Sequence, residues 1–580
     1  MSQITLTIDG TKVTTEKGST VLEAAKSIGI KIPTLCNMPD IQSIGACRLC
    51  LVEIEGSPKL HASCTLEATD GMVVRTTSPS LVQARRFVLE LILSDHPADC
   101  LTCVRNGNCE LQTLAQEFGL REITYPGEHS VAVNDTDNPC IVRDMDKCIL
   151  CRRCVAMCHE IQGVGVIFPQ KRGFETSIAP PYGMMLTDIP CTYCGQCINV
   201  CPVGALHEKE NTDEVWAALS DPGKHVVVQT APAIRAAIGE EFEYPAGTCV
   251  TGKLAAALRR LGFDKVFDTQ FAADLTIMEE GHELIQRVNE GGVLPMITSC
   301  SPGWIKYIEH YYPDLLDHVS TCKSPQQMFG AIAKTYYADK VGIPREKMFV
   351  VSVMPCTAKK FEAQRSEMND SGWQDVDIVL TTRELARMIH QSGMDFANLP
   401  DEDFDDPLGE STGAATIFGA TGGVMEAALR TAYEVVTGKA LENLEIKDVR
   451  GWDGIKEAQV PVNGLTVRVA VAHGLGNAQK LLDQIRDGSS PYHFIEIMAC
   501  PGGCIGGGGQ PLTSDYVATR QKRIEALYEE DRRLAKRKSH DNASVQKLYE
   551  EFLKEPLGEK SHHLLHTHYT KRGVKYEVSC

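Results

Sequence analysis

The chain has 580 residues, is 43% hydrophobic and 23% charged, and carries a formal net charge of −18, with 58 basic against 76 acidic side chains. At about 150 residues per domain this length predicts several domains. The apolar share excludes wholesale disorder, and the acidic balance argues against a nucleic-acid binder, which wants a basic face for phosphates. No apolar run approaches the ~20 residues of a membrane-spanning helix, and the opening MSQITLTIDG lacks a secretory pattern. A cytoplasmic location is therefore expected, where thiols stay reduced. The 23 cysteines, odd in number and clustered, then point to metal rather than disulfides.

In residues 1–80, Ile4, Leu6 and Ile8 alternate up to an Asp9-Gly10 turn and predict a hairpin, followed by a short helix over 21–30. Cys36, Cys47, Cys50 and Cys64 come next, with the central pair in a Cys-x2-Cys step. Four thiolates suit a 2Fe–2S centre or zinc, and spacing alone leaves both open. Residues 81–125 look helical and carry His96, Cys100, Cys103 and Cys109. Three cysteines at such tight spacing need a fourth ligand, and His96 stands directly ahead of them.

Residues 139–208 hold nine cysteines, eight of them in two matching runs. Cys148-x2-Cys151-x2-Cys154-x3-Cys158 is repeated as Cys191-x2-Cys194-x2-Cys197-x3-Cys201-Pro202, the spacing of bacterial two-cluster ferredoxins. In that pattern the fourth cysteine of each run serves the other cluster. One 4Fe–4S centre is expected on Cys148, Cys151, Cys154 and Cys201, the other on Cys191, Cys194, Cys197 and Cys158. The first run ends Cys158-His159 where the second has Cys-Pro.

From 209 to 511 apolar strands alternate with helical stretches, an α/β texture. Strands are expected at 224–230, 291–300, 347–356, 377–381, 467–474 and 492–500; three end on Cys300, Cys356 and Cys500. Ligands of parallel sheets gather beyond the carboxyl ends of strands, so these thiols and Cys504 are expected to converge. Residues 512–580 read as a charged helical segment whose histidine-rich run, 562–568, reads as a solvated tail, with metal binding as the alternative.

The motifs ITSCSPGW (297–304), MPCTAKKFEA (354–363) and EIMACPGGCIGGGGQP (496–511), supported by FDTQFAADLTIMEE (267–280), KSPQQMFG (323–330) and FGATGGVMEAALR (418–430), closely resemble those of FeFe-hydrogenases, the iron-only enzymes that interconvert protons and H2. The N-terminal constellations resemble the 2Fe–2S domain and the His/Cys 4Fe–4S motif shared by these hydrogenases and the large peripheral subunit of respiratory complex I. The resemblance implies a multidomain α+β and α/β protein: N-terminal ferredoxin-like iron–sulfur domains (1–80, 81–125 and 139–208), an α/β H-cluster domain (209–511) and a small-subunit-like helical segment (512–580). It implies one 2Fe–2S cluster, three accessory 4Fe–4S clusters, and an H-cluster in which a cubane is joined through a cysteine sulfur to a diiron unit bearing CO, cyanide and azadithiolate.

Carried over, Cys356, Cys500 and Cys504 are cubane ligands, with Cys504 the bridge. Lys359 binds a cyanide, and Pro232, Gln326, Met354 and Met498 line the pocket. Cys300, Glu280, Ser320 and Glu283 form the proton relay. Where the family has two adjacent cysteines, this chain has Cys300-Ser301. Serine is a hard, weak ligand for such iron, so Cys300 and the nearby Cys322 are expected to share the roles of cubane ligand and proton donor, in either order; the alternative is ligation by Ser301 itself. Ala233 replaces a frequent serine. Cys140 and Cys249 are expected to be structural.

Expected partners are ferredoxin and/or flavoprotein subunits that oxidise NAD(P)H, together with the proteins that mature the diiron unit. GATGGV (419–424) does not fit a dinucleotide-binding turn, so NAD(P) chemistry would belong to another subunit. A complex-I-like electron carrier would explain residues 1–208 only. An H2 sensor would explain neither the retained relay residues nor the lack of a signalling domain.

Overall fold

The computed structural model describes residues 2–573 except 126, 131, 132 and 463; Cys580 lies outside them. The expected hairpin is Gln3–Ile8 against Thr11–Glu16, with Ile8 opposite Thr11 across the Asp9-Gly10 turn. These strands join Val73–Arg75, Leu51–Ile54 and Leu60–Ala62 in one five-stranded sheet. Alternation turns Leu6, Ile8 and Val13 to one face, where they pack on Val21, Ala24, Ala25, Cys50 and Cys64. The helix Val21–Ser27 starts at a capping box between Thr20 and Glu23 and ends three residues earlier than expected. Helices Pro79–Ser94 and Glu110–Glu117 form most of the next module.

The duplicated cysteine runs trace the same backbone path twice. Leu150 and Tyr193 both have positive φ (55° and 57°), as do Arg152 and Gly195 (63° and 66°), each time just before a one-turn helix, Arg153–Ala156 or Gln196–Asn199. At the first position of the repeat the left-handed turn tolerates arginine. At the second a Cβ would run into the Thr357 hydroxyl and stand 3.0 Å from Gly508 Cα, so only glycine fits. That contact seats the ferredoxin-like module on the catalytic domain.

The catalytic domain is built on two four-stranded sheets. In the first, Lys265–Asp268, His225–Thr230, Met348–Met354 and Ile378–Thr381 are all parallel, and their near-continuous apolar sequences are buried on both faces. In the second, Met296–Ile297, Phe494–Met498 and Leu465–His473 are parallel, while Ile455–Val462, absent from the expected strands, adds an antiparallel edge. The strand expected over 291–300 shrinks to Met296–Ile297, because Gly291 caps the preceding helix at φ 78° and Pro295 has no N–H to donate.

The C-terminal segment, with helices Tyr516–Arg533, Ala543–Leu548 and Glu559–Leu565, wraps the catalytic domain. Arg430, fully buried, clamps Glu426 of its own helix and Asp531 of the segment (2.9 Å). The histidine-rich run is solvated only in part: His562, His563 and His568 are exposed, but His566 is not. Leu564 and Leu565 join the core and carry His566 inside with them, to 4% exposure. Cys140 is buried, and Cys249 is half-buried against the Ala526 carbonyl.

Candidate active site and its iron–sulfur approach

In the N-terminal module the structure brings Cys36, Cys47, Cys50 and Cys64 together. All four are buried, Cys50 and Cys64 have sulfurs 3.3 Å apart, and the Leu35 and Cys47 amides donate to the Cys47 and Cys36 sulfurs at 3.4 and 3.5 Å. Contact with Cys47 and Cys64 lowers the Cys36 thiol. Four sulfurs crowded without disulfides are a metal-ready donor set.

The next module offers His96, whose Nδ1 is buried with no hydrogen-bond partner among the described residues and whose pKa burial lowers. A neutral ring nitrogen left unpaired is what a metal ligand requires. Cys103 lies close enough to Gly204 that a Cβ there would stand 2.7 Å from its sulfur. Arg105 donates to the Cys201 carbonyl at 3.1 Å, and Arg153 grips Glu110 with two bonds of 2.7 and 2.8 Å, tying this module to the ferredoxin-like one.

Among the duplicated cysteines, Cys148, Cys151 and Cys154 share their electrostatic neighbourhood with Cys201, and Cys191, Cys194 and Cys197 share theirs with Cys158. Burial raises every one of these thiols, a cost that iron would remove by binding the thiolate.

At the carboxyl ends of the two catalytic sheets, Cys356, Cys500 and Cys504 converge. Burial pushes Cys356 to about 11 and Cys504 to about 12, and Cys500 well up, the last with Cys356 and then Cys194 as neighbours. The trio thus faces the second cysteine run. The glycine run between them is packed rather than loose: a Cβ on Gly508 would stand 2.6 Å from the Cys194 carbonyl and one on Gly509 2.7 Å from Thr381. Its carbonyls are held from outside by Gln196 (2.9 Å to Gly506), Asn199 (3.1 Å to Gly507), Arg520 (2.9 Å to Gly506) and Arg383 (2.8 Å to Gly508).

Lys359, 8% exposed, donates to Glu362 (2.8 Å) and to the Cys300 carbonyl (3.1 Å). Glu362 also receives Ser324 and Gln326, while Gln326 Oε1 is buried without a partner. Pro232, Ala233, Met354 and Met498 are buried. Cys300 is pushed well up by burial, then by Glu280 and Cys504.

Glu280 and Glu283 lie three apart on the helix Thr269–Glu290, a spacing that elsewhere marks a solvated face; both are buried. Among the described residues neither Glu280 oxygen has a hydrogen-bond partner of good geometry, although Ser320 and the Ser299 backbone lie nearby, and burial followed by the Glu283 charge raises it to about 8. Ser320 donates to Glu283 at 2.7 Å, and Arg287 pairs with Glu283 at 2.7 Å. Cys322 sits with these carboxylates: its sulfur is 3.7 Å from Glu283 Oε2, and Glu283, Glu280 and Glu279 are its charged neighbours. Ser301 Oγ instead accepts the Ala499 amide at 3.2 Å, one residue from Cys500.

Several supporting residues carry no sequence signal. His473 Nδ1 accepts the Gly502 amide, and Glu496 accepts the Gly422 and Met425 amides (2.7 Å each) where a helix begins. Gln196 and Arg520 reach the glycine run from more than 300 and about a dozen residues away respectively. Only the glycine-rich motif itself hints that something must pack there.

Five family descriptions match the chain: a 2Fe-2S iron-sulfur cluster binding domain (1–79), an NADH-ubiquinone oxidoreductase-G iron-sulfur binding region (85–124), the ferredoxin-like domain of NADH-quinone oxidoreductase subunit 3 (138–207), the C-terminal domain of the iron only hydrogenase large subunit (224–508) and the iron hydrogenase small subunit (517–572). The chain is 56% identical to NADP-reducing hydrogenase subunit HndD of Solidesulfovibrio fructosivorans, over 99% of this chain and all of that one. It is 43% identical to Iron hydrogenase 1 of Clostridium pasteurianum, over 98% of this chain and all of the relative. A solved structure of apo FeFe-hydrogenase HydA1 from Chlamydomonas reinhardtii, 47% identical, superposes with a TM-score of 0.57 over 63% of this chain and all of that one. Iron–sulfur modules leading to a thiol trio beside buried carboxyls, and these likenesses along nearly the whole length, place the chain in the FeFe-hydrogenase family, as a catalytic subunit that interconverts protons and H2 at an H-cluster.

Proposed function

We propose that the chain is the hydrogen-activating subunit of a cytoplasmic assembly whose other subunits oxidise NAD(P)H through flavin, with electrons crossing one 2Fe–2S and three 4Fe–4S centres. The observation that carries this reading is the abutment of Cys194 on the Cys356, Cys500 and Cys504 trio through Gly195 and Gly508, which brings the last accessory ligands against the catalytic ones. The full-length match to the NADP-reducing relative supports the NAD(P)H link. Among the described residues no helix is long and apolar enough to cross a membrane.

The donor set fits the family's cofactor. Cys356, Cys500 and Cys504 would hold the cubane, with Cys504 toward the diiron unit, and Lys359, Gln326, Met354, Met498 and Pro232 would surround that unit. When bound, the H-cluster supplies the iron at which protons and electrons combine. The chain supplies the proton: Cys300 has both Glu280 and Cys504 among its charged neighbours, and Glu280 carries its proton at neutral pH because burial has raised it to about 8. Ser320 and Glu283 continue the route outward. Cys300 therefore takes the donor role. Cys322, turned to Glu283, stands on the proton side, and Ser301 is the residue left beside Cys500 for the fourth cubane corner.

Untagged purification from the native host tests the assembly. Co-elution of a flavoprotein and NAD(P)H-dependent H2 release are expected. A lone chain served by ferredoxin would replace the NAD(P)H reading. Absence of H2 evolution from reduced methyl viologen after supply of the diiron unit would overturn the proton-reduction route itself.

A further inference from the structure

We propose that Glu283, Cys322 and His566 form a site for one divalent cation of borderline softness, zinc foremost, at the outer end of the buried carboxylate route. One donor atom of each residue lies within 4.8 Å of the other two, and all three residues are buried. Thiolate, imidazole and carboxylate are the three donor types zinc accepts, and three protein ligands with an open fourth position is a recurring zinc arrangement. Here the open side is a cavity of about 490 Å³ lined by Glu283, Arg287, Thr321, His562 and His566, which gives the ion a way in and a place for a water.

The surroundings are those of a built site. Cys322 Sγ is already 3.7 Å from Glu283 Oε2, near the ~3.5 Å that separates ligands around a tetrahedral ion with bonds of about 2.0–2.3 Å. Glu283 is oriented by Ser320 and by the Thr321 amide (3.2 Å). His566 Nε2 lies 3.2 Å from Glu279 Oε2, a carboxylate of the kind that orients metal-binding histidines, and its Nδ1 meets the rotatable Thr321 hydroxyl at 2.8 Å. Charges close as well: a thiolate and a carboxylate neutralise the dication, while Arg287 and Glu279 offset each other. The thiol proton of Cys322 leaves to the cavity as the ion binds. The three ligands come from separate parts of the chain, a helix, a loop and the C-terminal segment, and the last two are pinned together by a backbone bridge between Cys322 and His566.

An ion held here would take Glu283 out of proton traffic. That consequence, unlike the site, rests on the proton route proposed above. The test is zinc K-edge absorption on anaerobic, fully iron-loaded enzyme given one equivalent of Zn2+, where the resident iron does not interfere. The expected shell has one sulfur at about 2.3 Å and nitrogen or oxygen at about 2.0 Å. Cys322→Ser should lose the sulfur, and His566→Gln should weaken binding at least tenfold. A shell without sulfur, a shell of several sulfurs marking capture by cluster cysteines, or unchanged affinity in His566→Gln would overturn the site. In parallel, Zn2+ should slow viologen-driven H2 evolution and EDTA should restore it, with His566→Gln resistant. The one-sulfur shell with turnover unaffected would leave the site standing and overturn the route through Glu283.

Discussion

His473 holds Gly502 by its amide: Nδ1 accepts that N–H at 3.1 Å, while Nε2 lies 2.9 Å from the Trp452 carbonyl. Gly502 stands between Cys500 and Cys504, so one imidazole fixes the loop that presents both thiols. Burial lowers His473 to about 4, against about 6.5 for an unfolded histidine. The sign follows from that depression. The neutral ring's contribution is fully present above pH 6.5 and is lost as pH falls through 4, about 3 kcal/mol over the whole window. Anaerobic calorimetry from pH 7.5 to 4.5 should show this loss, and His473→Gln should reduce the slope while lowering stability at pH 7.5. Parallel slopes would refute the assignment.

Gly195→Ala should be far costlier than Gly173→Ala. Both positions have positive φ (66° and 62°), which costs alanine about 1–2 kcal/mol. Only Gly195 would also thrust its Cβ against Thr357 and Gly508; nothing lies within 4 Å of the one at Gly173. Melting temperature and viologen-driven H2 evolution should both drop further for Gly195→Ala. Equal losses would mean the two modules do not need this contact.

Glu280→Gln should reduce H2 evolution by about a hundredfold or more, the lower range for losing a positioned proton carrier, with the infrared bands of the diiron unit retained. In the wild type, evolution should fall as pH rises past about 8, where Glu280 gives up the proton that burial has kept on it. A flat profile from pH 7 to 9 would exclude Glu280 as the carrier.

Cys322→Ala should keep the iron content and cubane spectrum of the enzyme, and Cys356→Ala should lose the cubane at the trio together with its share of the iron. Only Cys356 lies with Cys500 and Cys504; Cys322 lies with Glu283. Loss of the cubane in Cys322→Ala would assign it as the fourth ligand and move Cys300 alone to the proton side.

What is legible in the sequence is whatever chemistry writes locally. The doubled Cys-x2-Cys-x2-Cys runs and the Asp9-Gly10 hairpin are short-range patterns, and the structure forms them as read, whereas the strand expected to close on Cys300 stops at Ile297 and those before Cys356 and Cys500 stop two residues short. Partners that meet only in space leave no trace. His473 and Gly502 are 29 residues apart, Gln196 and Gly506 are 310 apart, and nothing in either neighbourhood announces the other. The helix Thr269–Glu290 shows the same limit. Its consecutive Glu279 and Glu280 look alike in sequence, yet Glu279 is satisfied by Tyr549, Ser561 and His566 whereas Glu280, among the described residues, has no hydrogen-bond partner of good geometry. The histidine run reads as solvated for the same reason, since the surface that swallows His566 belongs to residues some 250 positions earlier.

The wrapping segment is joined to the glycine run by only the few residues between Gln510 and Tyr516. So short a tether keeps the effective concentration of the segment at its seat in the millimolar range or above, and no dilution of the enzyme can strip it away. A separate polypeptide on the same seat would come and go with its own supply. Here the Arg430–Asp531 clamp and the cover over Glu279 reach one-to-one stoichiometry as each ribosome finishes its chain.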